Sequence, residues 1–207
     1  MTVKDRRARQ KTLLRQQILD AARDLLVRDV YEKLSMRRVA ERIDYSPTAI
    51  YLHFTDRQDL VFSLCDETFA RLVHELETLP QEFPDPLVRL RKGCERYIAF
   101  GLNHPDHYVP AFVLPPPQDL DPKRKQKLMS PESNGLKALG CLRACIADGV
   151  RAGKLRKVDP DVAARATWAA IHGITSLLIT HKSFPWGDPR TVVTATIDTI
   201  VDGLRRR

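Results

Sequence analysis

The stretch from residue 18 to residue 60 decides how the N-terminal part of the chain folds, and it reads ILDAARDLLVRDVYEKLSMRRVAERIDYSPTAIYLHFTDRQDL. Apolar side chains repeat with a helical period from Leu14 through Ile18 and Ala22 to Leu26, and they predict a first helix over about residues 10–28. The first glycine of the chain is Gly93. The N-terminal part therefore has no glycine-lined phosphate loop.

Two short helices joined by a tight turn follow the first helix. Ser35 is a favourable N-cap for a second helix over about residues 35–42. After a four-residue break, Ser46 and Pro47 predict a third helix over about residues 46–53, because proline at the first helical position already has a suitable φ angle. This arrangement is a helix-turn-helix, whose second helix can enter the major groove of DNA.

The predicted DNA contacts lie on the polar faces of these two helices. Small residues at the exposed start of the third helix let its backbone approach the base edges, and Arg37 is placed to read a guanine edge or to grip the backbone. A capping box from Thr55 to Gln58 starts a fourth helix, whose first amide groups are expected to hold a phosphate. The full candidate set is Ser35, Arg37, Arg38, Ser46, Pro47, Thr48, Ala49, Tyr51, His53, Thr55 and Arg57.

Four elements of this stretch match one known pattern in both residue type and spacing: ILDAA at 18–22, Ser35 before VAERI at 39–43, Ser46 in the turn, and YLHF at 51–54. With them, the chain resembles the DNA-binding domain of the TetR family of transcriptional regulators. The resemblance implies an all-α fold with an N-terminal helix-turn-helix, a C-terminal helical bundle and about nine helices. It also implies an effector pocket and a dimer interface in the C-terminal region.

The chain departs from the family pattern at two places where glycine is usual, and these hold Val30 and Asp44. Aspartate tolerates a left-handed backbone, whereas a β-branched valine does not. We therefore expect the loop around Val30 to take a different path, with no effect on DNA binding because neither residue should face DNA.

The N-terminal arm is strongly basic. Residues 1–15 contain six basic side chains and a single acid, Asp5. Such an arm ahead of a helix-turn-helix can follow the minor groove. It can equally be a disordered, solvated tail. The sequence leaves both interpretations open.

Helical periodicity continues through the rest of the chain, with helices expected over about 55–79, 86–103, 105–113, 131–151, 160–181 and 188–205. The last one is rich in β-branched residues, but its apolar stripe keeps a helical period. The segment 115–127 is interpreted as an exposed loop, and its basic run at 123–125 as solvated. We divide the chain into a DNA-binding region, 1–55, and a ligand-binding and dimerisation region, 56–207.

One segment of the C-terminal region carries a second, shorter resemblance. Trp168, His172 and Gly173 resemble the Trp-His-Gly motif of one TetR C-terminal subclass. Trp168 and His172 share a helix face, and they either pack and form hydrogen bonds or line an apolar ligand cavity. The candidate pocket residues are Tyr97, Phe100, Phe112, Trp168 and His172.

Composition and motifs exclude several classes of protein. The formal net charge of +8 agrees with a polyanionic partner. We expect no apolar run of membrane-spanning length and no signal peptide, and hence a cytoplasmic protein. The four cysteines are expected to be free thiols; a redox role for Cys141 and Cys145 is a minority interpretation, as is a metal at His104 and His107. No nucleophile–base pair or metal set points to an enzyme.

The sequence therefore predicts a homodimeric regulator that uses no cofactor. It is expected to repress from a palindromic operator in double-stranded DNA, and to be released by an apolar or aromatic small molecule. The alternative is a dimeric DNA-binding adaptor or architectural protein without an effector. No membrane partner is expected.

Overall fold

The computed structural model of the chain describes residues 2–28, 31–114 and 120–206. Within these ranges the chain is helical, and its extended pairing is limited to an isolated bridge between Leu155 and Arg205. The predicted all-α fold is confirmed. The loop expected to differ at Val30 lies outside the described residues.

The N-terminal unit contains the predicted helices. They are α1 (Val3–Arg28), α2 (Met36–Arg42), α3 (Pro47–Tyr51) and the start of α4 (Arg57–Glu77), with a 3₁₀ turn at Tyr31–Lys33. Ser35 and Ser46 are N-caps whose side chains accept hydrogen bonds from backbone N–H groups three residues later. Asp44 has a φ angle of 57°, so the expected left-handed residue in the turn is confirmed.

The basic N-terminal arm is neither an extended strand nor a tail without structure, because α1 begins at Val3. Thr2 and Asp5 form a capping box: the N–H of Thr2 donates to the carboxylate of Asp5, and the N–H of Asp5 donates to the Thr2 hydroxyl. The predicted start at residue 10 was therefore too late. The arm has no glycine or proline, and its lysines, arginines and glutamine are good helix formers.

The predicted capping box at the start of α4 was placed one residue too early. Asp56, not Thr55, is the N-cap, and its side chain accepts a hydrogen bond of 2.8 Å from the N–H of Asp59. Asp59 in turn accepts from the N–H of Thr55 at 2.9 Å. The reciprocal pairing therefore runs through two carboxylates, which are stronger acceptors than the hydroxyl and amide that we expected.

Proline and aspartate punctuate the C-terminal helices. These are α5 (Leu79–Glu82), α6 (Pro86–Asn103), α7 (Pro105–Tyr108), α8 (Pro122–Leu128), α9 (Asn134–Arg151), α10 (Pro160–Thr180) and α11 (Pro189–Leu204). The predicted helix at 105–113 is split, since α7 passes into a π-helical turn, Val109–Val113, that contains Pro110. Part of the predicted loop, residues 115–119, lies outside the described residues.

The basic end of that predicted loop is helix α8. Asp121 caps it by accepting from the N–H groups of Lys123 and Arg124, and Pro122 occupies its first position. This cap-plus-proline start is the one that correctly predicted α10 and α11, so the same signal was available here. The interpretation as a loop was wrong for 122–128.

Helix α11 is confirmed despite its β-branched composition. The hydroxyls of Thr196 and Thr199 donate to carbonyl oxygens four residues earlier, Val192 and Ala195, each at 2.8 Å. Threonine satisfies its own polar group inside a helix in this way. Ile197, Val201 and Leu204 are buried along its inner face.

Two apolar cores lie along the chain, and α4 belongs to both. Leu60 and Leu64 pack in the N-terminal core with α1, α2 and α3. Leu72 and Leu76, two turns later, pack in the C-terminal core with α6, α9, α10 and α11. One continuous helix therefore carries the fold from the helix-turn-helix into the C-terminal bundle.

Helix α10 overturns the expectation that no segment is long and apolar enough to span a membrane. By length and composition α10 passes that test, with a mean hydropathy of 1.3 over its most apolar window, of which 33% is buried. Many small residues raise its hydropathy without a run of large ones. Its inner face, which includes Ala164, Thr167 and Ile171, packs in the C-terminal core, as in the core helix of a folded domain.

Candidate DNA-binding surface and cavity

Helix α3 presents its first and last turns to solvent. Ser46, Pro47 and Thr48 are exposed, and Tyr51 is 55% exposed. Ile50 and Phe54 are buried beneath them and hold the helix on the N-terminal core. The fold thus fixes α3 from below and leaves its outer face open for a groove.

Helix α2 supports α3 and contributes one open cation. The side chain of Arg37 is 81% exposed and pairs with Glu41 at 2.8 Å. Arg38 is half-buried and donates to the carbonyl of Lys33 at 2.9 Å, while Ser35 serves as the N-cap. Of these three predicted contacts, Arg37 has the geometry of a DNA ligand, and the other two also have structural partners.

The predicted contacts after α3 have different surroundings. His53 is half-buried, and burial together with Lys11 and Arg15 lowers its pKa. Arg57 lies 4.4 Å over the ring of Tyr31 and reaches the carbonyl of Leu34 at 3.5 Å. Thr55 is exposed, and its hydroxyl accepts from the Arg124 guanidinium at 3.2 Å. Arg57 is therefore a packing residue of the N-terminal unit as well as a charge.

Three residues of this surface were not predicted. Leu52 is 75% exposed and Tyr45 is 46% exposed, both beside the open face of α3. Leu52 lies off the apolar stripe formed by Ile50 and Phe54, so its helical position gave a signal that we did not use. Arg124 comes from α8, and no local pattern connects it to Thr55 across 69 residues.

A cavity of about 720 Å³ lies in the C-terminal region, between α4, α6, α8, α9 and α10. Its wall is mostly apolar, with Leu72, Leu90 and Leu142 among its members. Three predicted pocket residues, Tyr97, Phe112 and Trp168, lie in this wall. Phe100 and His172 do not line it; Phe100 is buried in the core, and His172 lies behind the tyrosines.

A chain of hydrogen bonds runs from the cavity wall into the core. Trp168 Nε1 donates to the hydroxyl of Tyr97 at 3.1 Å, the hydroxyls of Tyr97 and Tyr108 are 3.0 Å apart, and Tyr108 lies 2.7 Å from Nδ1 of His172. Burial raises the pKa of Tyr97 to about 12 and lowers that of His172. Neutral His172 can therefore accept at Nδ1, and each hydroxyl donates to the next group along the chain. Packing and lining are both present, in different residues.

The cysteines are buried or half-buried free thiols. Burial raises the pKa of Cys65 and of Cys94 to about 12, and it also raises the pKa of Cys141 and Cys145. A thiolate is the reactive form, so these surroundings disfavour oxidation chemistry. Within the described residues, no group of three His, Cys, Asp or Glu side chains could hold a metal.

A buried polar network joins α1 to the C-terminal region. Arg23 is 5% exposed and pairs with Glu67 of α4, which also accepts from Arg71 at 2.7 Å. Arg71 in turn lies 3.4 Å from Nε2 of His107 in α7. Because buried charges need partners, this network fixes the packing of α1 against α4 and α7.

His107 makes stability depend on pH. Its burial, with Arg23 and Arg71 nearby, lowers its pKa to about 4, below the value of about 6.5 in an unfolded chain. As pH falls from 6.5 towards 4, the unfolded chain takes up a proton that the folded chain refuses. The free energy of unfolding should then decrease by about 1–2 kcal/mol between pH 7 and pH 5.

Urea denaturation at both pH values checks this result in the wild type and in His107→Gln, which should lack this component. The control is His74→Gln, a change of an exposed histidine on α4, which should keep the wild-type pH dependence. An equal pH dependence in His107→Gln and in the wild type would contradict the assignment.

Two family models match the chain. The model of bacterial regulatory proteins of the tetR family matches residues 18–64, and the model of the tetracyclin repressor-like C-terminal domain matches residues 90–203. The second match alone spans more than half of the chain. Together they cover the helix-turn-helix and most of the C-terminal helices.

Characterised relatives match over shorter stretches. A helix-turn-helix-type transcriptional regulator of Saccharopolyspora erythraea is 30% identical over 102 residues, 49% of this chain and 42% of that protein. The helix-turn-helix-type transcriptional repressor AcnR of Corynebacterium diphtheriae is 36% identical over 61 residues, 30% of this chain and 32% of that protein. The alignments thus span less than half of either relative.

Solved structures share the whole fold. The regulator FadR of Bacillus subtilis, solved in complex with stearoyl-CoA, superposes with a TM-score of 0.77 over 92% of this chain and 99% of that chain. Its sequence identity is 16%, so the likeness concerns the fold alone.

Proposed function

The chain belongs to the TetR family of bacterial regulatory proteins, and on that premise we propose that it is a DNA-binding transcriptional regulator. It binds a palindromic operator as a homodimer, represses from it, and is released by a small apolar or aromatic effector. The observation that carries the proposal is the recognition helix α3, which is fixed to the core by Ile50 and Phe54 while Thr48 and Tyr51 stay exposed. Residues 1–55 form the DNA-binding region, and residues 56–207 form the effector and dimerisation region.

The proposal of a dimer rests on an open face of α10. Ala166, Ala170, Gly173 and Leu177 follow one another along this face, each exposed or half-buried. A Cβ atom added at Gly173 would meet nothing within 4 Å in the single chain. Close helix packing needs such small residues, and a two-fold pair sets two recognition helices about 34 Å apart on DNA.

Replacing Ala170 by arginine should break the dimer and leave the subunit folded. Ala170 is exposed, so the new side chain meets solvent in the single chain, but in the pair it would place a bulky charge in a close helix contact. Sedimentation velocity should show a shift from dimer to monomer, with at least a 100-fold weaker association, roughly 3 kcal/mol.

The matched control for this change is Ala99→Arg on the exposed side of α6, which should stay dimeric. A dimeric Ala170→Arg variant would mean that α10 does not form the interface.

The effector part of the proposal rests on the cavity. A volume of about 720 Å³ with a mostly apolar wall and a few polar groups is typical of a small-molecule site. FadR, which shares the fold, is solved with an acyl-CoA, and this supports a ligand with a long apolar part. We also propose that the C-terminal region belongs to the Trp-His-Gly subclass, with Trp168 and His172 at the two ends of the hydrogen-bonded chain.

The second candidate function is a DNA-binding adaptor or architectural protein without an effector. The cavity favours the regulator, because an element that serves dimerisation alone does not need an internal space of this size. The family consists of regulators rather than enzymes. We place the protein in the cytoplasm, where its DNA is.

The experiment is footprinting on DNA upstream of the gene that encodes this chain, with and without candidate apolar or aromatic compounds. Protection of a palindrome at physiological salt supports DNA binding, and loss of protection with a compound supports effector release. Thermal-shift measurements with the same compounds separate the two functions. A shift in the wild type that disappears in Cys141→Trp, a change that fills the cavity wall, assigns the effector to the cavity.

A further inference from the structure

Helix α8 is a short basic element outside the helix-turn-helix. Its sequence PKRKQKL holds Lys123, Arg124, Lys125 and Lys127 and no acid. Two of these side chains have neighbours in the fold: Arg124 contacts the start of α4, and Lys127 lies 4.9 Å over the ring of Phe62. Lys123 and Lys125 are exposed, and no ion pair engages either of them within the described residues.

Arg124 fixes α8 next to the recognition helix. Its guanidinium donates to both carboxylate oxygens of Asp56, each at 2.8 Å, and to the hydroxyl of Thr55 at 3.2 Å. The backbone N–H of Asp121 donates to Gln58 at 3.1 Å, which adds a second attachment. A bidentate arginine–carboxylate pair sets orientation as well as distance. The position of α8 therefore follows that of residues 55–58, which come directly after α3.

The charge at the start of α4 requires a source of compensation. When α3 lies in the major groove, the residues that follow it approach the phosphates at the groove edge. Here those residues include Asp56 and Asp59, two carboxylates that would repel a phosphate. Arg124 neutralises Asp56 directly, and it brings Lys123 and Lys125 to the same edge.

We propose that α8 belongs to the DNA-binding surface, with Lys123 and Lys125 contacting backbone phosphates of duplex DNA beside the recognition helix. This inference rests on the proposed function, since it requires α3 in the groove. The contacts are electrostatic and independent of base sequence, so they add affinity and salt dependence without specificity. The C-terminal region thereby takes part in DNA binding.

The test is the salt dependence of affinity for the double variant Lys123→Gln/Lys125→Gln. Fluorescence anisotropy is measured on the upstream DNA and on a random-sequence duplex, from low to physiological salt. Two lost phosphate contacts should lower the slope of log K against log[salt] by about 1–2, at roughly 0.9 per contact. Affinity at 0.1 M salt should fall about 10-fold on both duplexes.

Two controls make the result specific. Lys123→Arg/Lys125→Arg keeps the charge and should keep the wild-type slope. Lys154→Gln/Lys157→Gln removes the same charge beyond the far end of α9, about 27 Å away along an 18-residue helix, and should also keep it. Arg124→Gln, which frees α8 from Asp56, should lower the slope in the same direction.

An unchanged slope in Lys123→Gln/Lys125→Gln, or a loss equal to that of the Lys154 and Lys157 control, overturns the inference and leaves the proposed function intact. Absence of DNA binding by the wild type would instead overturn the proposed function, and this inference with it.

Discussion

Thr48→Glu should reduce operator affinity by at least 100-fold while the protein stays folded and dimeric. Thr48 is exposed in the first turn of α3, where the backbone has to approach the base edges. A carboxylate there faces phosphates and mostly acceptor atoms of the bases. Each half-site loses about 1–3 kcal/mol, and a dimer meets the substitution twice, so the loss is roughly 3 kcal/mol or more. An acidic residue near a helix N-terminus does not destabilise the helix.

Gel-shift titration on the upstream DNA measures this loss, and thermal melting confirms the fold. The matched control is Gln81→Glu, an exposed position in α5, which is separated from α3 by the whole of α4, about 31 Å for 21 residues. It makes the same charge change and should bind within about twofold of the wild type. Wild-type affinity in Thr48→Glu would show that α3 does not enter the groove.

Gly101→Ala should destabilise the protein by about 2–3 kcal/mol, because α6 and α10 meet at this residue. A Cβ atom at Gly101 would lie 2.4 Å from Cγ2 of Thr175 and 2.9 Å from Cδ2 of Tyr108. Both neighbours are fully buried, and Thr175 is held by a 2.6 Å hydrogen bond to Ile171. Neither can withdraw without breaking other contacts, so the helices must separate. The expected decrease in melting temperature is about 5–10 °C.

The control for Gly101→Ala is the same substitution at Gly140 in α9, where nothing lies within 4 Å of the added atom. There the change should raise stability by a few tenths to about 1 kcal/mol, because alanine favours the helix more than glycine does. Opposite signs for the two variants are expected by calorimetry. A neutral Gly101→Ala would mean that α6 and α10 are not packed as the structure has them.

Local signals account for what the sequence predicted well. Ser35, Ser46 and the aspartates before Pro86, Pro160 and Pro189 are N-caps that act within three residues, so the starts of five helices followed from the sequence. The stripe through α11 outweighed its β-branched composition, because packing of that face decides the element. The exposed face of α3 followed in the same way from the burial of Ile50 and Phe54.

Long-range contacts account for what the sequence did not predict. Arg124 reaches Asp56 across 68 residues, and no periodicity in either segment records that pairing. The cavity wall includes Tyr97 but not His172, because the hydroxyl of Tyr108 occupies the space between them. The arm folded as helix because Thr2 and Asp5 cap each other, a pair too close to the chain start to stand out as a boundary.

Helix α4 has a consequence for anyone who builds hybrid regulators from this chain. A graft that exchanges the helix-turn-helix must be joined inside α4, between Leu64, which faces one core, and Leu72, which faces the other. An inserted or deleted residue there turns everything beyond it by about 100° around the helix axis. Only crossovers that preserve the residue count of this segment will keep the reading head aligned with its sensor.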